Sequence, residues 1–190
     1  ATEIRNVSGV KTLYCTNPDC QAKKIKSFAL FASRDALNID GLSEATLEKF
    51  IGAGFIHEYS DMFHLDRHRD EIVEMEGFGE KSYENLTAAA KKAPVTTLPR
   101  LVYGLGIAGI GLANAKMLCR HFRYDFDAMR HASREELTEV DGIGDVLAEA
   151  WTEFFASEKN NGIVDRLLKE LTIEKEEEEG GDKPLEGMTF

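Results

Sequence analysis

Three cysteines, four prolines and one tryptophan serve a chain of 190 residues, and 23 basic residues face 34 acidic ones. Three cysteines cannot close a disulfide framework, which sets aside small secreted scaffolds and fits a reducing, cytoplasmic setting. No apolar run reaches the roughly 20 residues that a membrane helix needs. The start of the chain also lacks the basic-then-apolar pattern of a signal peptide. Catalytic signatures are missing: there is no Walker A loop, no Rossmann βαβ fingerprint, no KxDG-type lysine and no plausible nucleophile triad. The net charge of −11 excludes long-range attraction to a polyanion. Its distribution is uneven, at +3 over residues 1–35, −9 over 36–173 and −5 over 174–190. A hydrophobic content of 43% nevertheless provides an ordinary globular core.

Glycine is the residue that is not scarce, and it is placed periodically. IDGLS at 39–43, MEGFG at 75–79, IAGIG at 107–111 and VDGIG at 140–144 fall into one register. The first column is Gly41, Gly77, Gly109 and Gly142, spaced 36, 32 and 33 residues apart. Two places on stand Ser43, Gly79, Gly111 and Gly144, with an apolar residue locked between the columns. Helical periodicity flanks each copy. Leu147, Ala150, Trp151 and Phe154 follow the last, and Ser133 with Glu136 forms a capping box before it. Leu47, Phe50 and Ile51 follow the first, and Asp66 is expected to start the helix before the second. Each unit therefore reads as helix, tight glycine hairpin, helix.

Such a hairpin presents free backbone N–H groups beside a helix N-terminus, where an anion is stabilised. Four copies on one chain point to a phosphate polymer. Attraction must be local, through backbone dipoles and a few cations such as Lys81 and Lys116. On this reading, Val at Gly109 or Gly142 would hold a phosphate away from the backbone. Ser43 can cap the helix after it, so the first copy is expected to contribute less. Four hairpins at one or two phosphates each would make roughly 4–8 contacts, and a log–log salt slope of about −4 to −7.

Tandem hxGhG hairpins resemble helix-hairpin-helix modules, which bind the DNA backbone without reading sequence. Four of them behind a short cysteine-bearing segment resemble the region of bacterial NAD-dependent DNA ligases that follows the catalytic core. The resemblance runs from about Ala1 to Phe190. It implies a mainly α fold: a tandem helix-hairpin-helix domain of two paired-hairpin units behind a β-hairpin zinc-finger remnant. The expected divisions are 1–22 for part of a four-cysteine zinc finger, 23–94 and 95–173 for the two hairpin pairs, and 174–190 for an acidic linker and the start of a BRCT-like domain.

Cys15 and Cys20, at C-x4-C spacing, suit two of the four ligands of a tetrahedral zinc. The resemblance places the other two upstream, so the chain looks like a piece cut inside its finger. It also places NAD and magnesium in absent catalytic domains, and leaves no catalytic residue to assign here. The implied partners are nicked duplex DNA and the catalytic, OB and BRCT domains of the same chain, in a monomer away from membranes. Cys119 reads as a buried apolar cysteine. A non-enzymatic repair or recombination module and a protein-interaction scaffold remain alternatives.

Overall fold

The structure, a computed structural model, describes residues 2–7, 10–15, 17 and 20–175, with 2–7 and 10–15 as backbone alone. Ser8-Gly9, a turn-forming pair by residue type, most of the acidic linker and the expected start of a BRCT-like domain lie outside the described residues. Strands β1 (Thr2–Val7) and β2 (Val10–Cys15) pair antiparallel with Val7 opposite Val10, which is the expected small hairpin. The rest is mainly α-helical.

Four helix pairs bracket the four glycine hairpins. Helices α1 (Gln21–Ala32) and α2 (Glu44–Gly52) flank the first, and α3 (Arg69–Glu74) and α4 (Glu80–Lys92) the second. Helices α5 (Leu98–Gly104) and α6 (Leu112–His121) flank the third. After α7 (Phe126–Arg130), α8 (Arg134–Thr138) and α9 (Asp145–Ala156) flank the fourth, and α10 (Glu158–Glu170) closes the bundle. Each bracketing pair packs against itself. The capping box at Ser133 and Glu136 forms as expected and draws the Glu136 carboxyl below its ordinary range, through hydrogen bonds from Ser133.

Asp66 does not start α3. It lies in the second of two 3-10 turns, Tyr59–Phe63 and Leu65–His68, and α3 begins at Arg69. Asp61 is the residue that organises this entry, its Oδ2 accepting from the N–H groups of His57 (2.8 Å) and Glu58 (3.0 Å). Helix α4 ends at Lys92, just before Ala93-Pro94, and the residues after Pro94 are not a bare connector. Strand β3 (Val95–Thr97) pairs parallel with β4 (Thr172–Glu174), so the acidic run begins inside a strand at Glu174.

One apolar core runs through both halves of the chain, from Phe28 and Phe31 to Trp151 and Leu167. Trp151 is buried, and its indole N–H donates to the Met129 carbonyl at 2.9 Å. Cys119 is fully buried in α6. Between the halves, Arg100 Nε donates to the Ala36 carbonyl at 2.7 Å, Arg166 meets Glu58 at 2.8 Å and His64 meets Glu170 at 2.6 Å.

The hairpin itself is a β-turn. The N–H of the central apolar residue donates to the carbonyl three places back: Leu42 to Ile39, Phe78 to Met75, Ile110 to Ile107 and Ile143 to Val140, at 3.0–3.3 Å. The third residue has φ of +95°, +86°, +77° and +83° in the four copies, the left-handed position of a type II turn. Leu42, Ile110 and Ile143 are buried and Phe78 is half-buried. Burying such a side chain is worth about 1.5–3 kcal/mol, against about 0.5–1.5 for the turn hydrogen bond. The apolar wedge therefore anchors the turn more than its hydrogen bond does.

The turns interlock in pairs. A Cβ on Gly41 would meet Leu86 of α4, and one on Gly77 would face Lys49 of α2. In the second half, a Cβ on Gly109 would run into Leu147 of α9, and one on Gly142 would face Asn114 of α6. Each turn thus leans on the helix that follows its mate. Gly109→Ala should therefore cost about 1–2 kcal/mol for the left-handed backbone alone, with further loss as Leu147 moves. Gly111→Ala, whose Cβ meets nothing within 4 Å, should cost less than about 1 kcal/mol; urea unfolding of the two variants checks the order.

Glu136 supplies a pH test. A carboxyl lowered in the folded state stabilises above its unfolded value, near 4.5, and loses that contribution as pH falls through the folded value. The melting temperature of Glu136→Ala should lie below that of the unaltered chain at pH 7. The gap should close as pH falls from the ordinary glutamate range through the lower folded-state value, which thermal melts across acid pH would measure.

Candidate nucleic-acid interface

The two glycine columns do different work. The first supplies the left-handed turn position, and its missing side chains face the paired helices. A side chain at Gly109 would collide with Leu147, one at Gly142 would meet Asn114 at ordinary contact distance, and both would strain a left-handed backbone, so a substitution there acts inside the protein as well as on any approaching phosphate. The second column is where backbone can be approached. Gly79, Gly111 and Gly144 are the N-caps of α4, α6 and α9, in extended conformation, and a Cβ at any of them meets nothing within 4 Å.

None of these three glycines caps its helix through a side chain. The first-turn N–H groups have no carbonyl four residues back to bond, so they remain available to an incoming oxygen. The first copy differs. Ser43 Oγ accepts the Thr46 N–H at 3.3 Å and lies 3.1 Å from the Thr46 hydroxyl, so that N–H is already taken. Ser43 therefore caps as expected, and the cap reduces what the first turn can offer an anion.

Charge also distinguishes the copies. Asp40 and Glu44 flank the first turn, Glu76 and Glu80 the second, Asp141 and Asp145 the fourth, whereas Ala108 and Leu112 flank the third. Arg69 pairs with Glu80, and Arg134 Nε lies 3.6 Å from Asp145, which offsets part of that negative charge. Lys81, the second residue of α4, is exposed, and Lys116, the fifth of α6, is half-buried. Lys116 occupies a repeat position that holds Glu48, Glu84 and Glu149 in the other copies. The third turn is thus the least acidic of the four.

Periodicity does not single out Lys49 or Asn114, yet both tie down turns. Lys49 Nζ donates to the Glu76 carbonyl at 2.9 Å, across the first pair. Asn114 Nδ2 donates to the Gly109 carbonyl at 3.3 Å while its Oδ1 sits by Gly142. Both become visible only once the turns are paired in space.

For zinc, Cys15 ends β2 with its side chain outside the described residues, and Cys20 precedes α1, half-buried. Among the described residues no cluster of three or more His, Cys, Asp or Glu is placed to hold a metal.

Residues 100–164 match the family model described as "Helix-hairpin-helix motif", a span that contains the third and fourth turns. Over its full length the chain is 52% identical to a protein named DNA ligase from Lachnoclostridium phytofermentans and 48% identical to one from Ruminiclostridium cellulolyticum. A DNA ligase from Symbiobacterium thermophilum is 34% identical over 98% of this chain. The chain spans 29%, 29% and 28% of those relatives' lengths. It is therefore a mainly helical homologue of one segment of the DNA ligases, built on the helix-hairpin-helix motif.

Proposed function

We propose that this chain is the duplex-holding region of an NAD-dependent DNA ligase that seals nicks in replication and repair. One observation carries the reading: three glycine-capped helix N-termini, at Gly79, Gly111 and Gly144, open beside tight turns whose geometry is locked by their mates. Backbone N–H groups at such points suit phosphate oxygens and carry no base readout, so binding is indifferent to sequence. The net charge of −11 keeps the affinity weak and makes the rest of the parent chain necessary for a firm hold. No helix among the described residues is long and apolar enough to cross a membrane. The parent is proposed to act in the cytoplasm as a monomer.

With Ser43 capping the first copy, three turns at one or two phosphates each make roughly 3–6 contacts, and a log–log salt slope of about −3 to −5. Gly111→Ala should leave the fold intact and weaken binding at least about 10-fold, equally on unrelated duplexes, since a hydrogen bond to a charged group is worth about 1.5–3 kcal/mol. Gly144→Ala should weaken it less, because Asp141 and Asp145 already oppose an anion there. Fluorescence anisotropy over a salt series tests this. Unchanged binding by folded Gly111→Ala, with a slope near zero, would leave a protein-interaction scaffold as the better reading.

Chemistry is assigned to parts of the parent beyond this chain, with NAD and magnesium held there. Cys15 and Cys20 would supply two of four zinc ligands, the other pair coming from the upstream sequence. Both points can be checked in one preparation. The isolated chain should hold well under one zinc per molecule by atomic absorption, and should take up no label from NAD labelled in its adenylate. One tightly held zinc, or a labelled lysine, would contradict the assignment.

A further inference from the structure

We propose that the groove between the first and second turns is a phosphodiester-binding site centred on Lys49. The inference rests on the duplex-holding reading and adds to it a cation that the repeat pattern does not contain. The groove, about 380 Å³, is lined by Gly41 and Gly77 of the two turns, by Thr46 and Lys49 of α2, and by Ser82 and Asn85 of α4. Lys49 reaches across the groove from α2 to the second turn: its ammonium is 2.9 Å from the Glu76 carbonyl and 3.9 Å from where a Cβ on Gly77 would sit.

An ammonium has three donors, and the carbonyl uses one. Asp40 and Glu76 also border the groove, yet no ion pair to Lys49 forms within 4.0 Å among the described residues. The charge is held in position between two backbone turns without being neutralised. Ser82 and Asn85 add a hydroxyl and an amide to the lining. A phosphate diester carries one negative charge and two free oxygens, matching one fixed cation with neutral donors around it. The second pair has no equivalent. The positions that correspond to Lys49 are Asn85, Met117 and Ala150, and Gly142 is faced by the acceptor Asn114 Oδ1. The two pairs thus differ: the first adds a lysine cation to the open N–H groups after Gly79, and the second has open N–H groups after both Gly111 and Gly144.

The test uses the full chain and a nicked duplex, with affinity measured across a salt series. Lys49→Gln keeps a donor for the Glu76 carbonyl and removes the charge; Lys49→Arg keeps both; Lys49→Met removes both. Direct phosphate contact predicts that Gln and Met make the salt slope shallower by about 1 and weaken binding several-fold, and that Arg restores the slope. Circular dichroism and melting temperature identify any variant that has lost its fold, and the Gln–Arg comparison stands without Met. A slope unchanged in Gln overturns the site and leaves Lys49 as a clamp on the second turn only. Absence of duplex binding by the unaltered chain would overturn the duplex-holding reading together with the site. Normal binding with an unaltered slope in Gln would overturn the site alone.

Discussion

A left-handed backbone position beside a buried apolar side chain is what the architecture depends on. At Ile107-Ala108-Gly109-Ile110, Gly109 has φ of +77° and Ile110 is driven into the core. Without the first the chain cannot reverse, and without the second the turn is not tethered to anything. The same couple at Gly142 and Ile143 holds the fourth turn. Because each turn also leans on the helix after its mate, the second turn of a pair reinforces the first. The spacing between two turns is therefore a property of packing, which a single hairpin could not maintain.

That division of labour reconciles an acidic protein with the proposed anion sites. Side-chain charge gives a net −11, but the groups that would meet a phosphate are N–H dipoles at glycine-capped helix ends, whose field falls off within a turn. Over such distances a distant carboxylate is screened, so the local inventory decides. It favours the third turn, flanked by Ala108 and Leu112, and disfavours the first, where Ser43 has already taken the Thr46 N–H. The four copies are alike in backbone and unequal in what they can bind.

The halves of the chain are held together by more than sequence order. Strand β3 follows the stop at Pro94 and finds its partner in β4, at the far end of the described residues, with the Thr172 N–H donating to the Pro94 carbonyl at 2.8 Å. Arg100, Arg166 and His64 add polar ties between first-half and second-half elements. Gly104 lies against Phe31, Ala36 and Leu37, a close approach that a larger residue would prevent. These contacts give the two turn pairs a common footing.

The sequence alone determined the turns, because the chemistry of a tight reversal is local: glycine for the left-handed position, an apolar residue for the anchor, and Ser133 with Glu136 for the helix that precedes the last copy. It also showed Ser43 as a cap and Cys119 as a core residue, both of which the structure bears out. Asp66 was misleading, because an acidic residue before a helix has the same local signature whether it caps or sits in a 3-10 turn; Asp61 caps the first 3-10 turn through the N–H groups of His57 and Glu58, and α3 starts without a side-chain cap. Tertiary structure decided the rest. Which glycine column faces a neighbouring helix and which faces open space, the pairing of β3 with β4, and the placement of Lys49 between two turns all join residues tens of positions apart. No local propensity encodes such contacts, since they form only when the apolar wedges of separate turns are buried in one core.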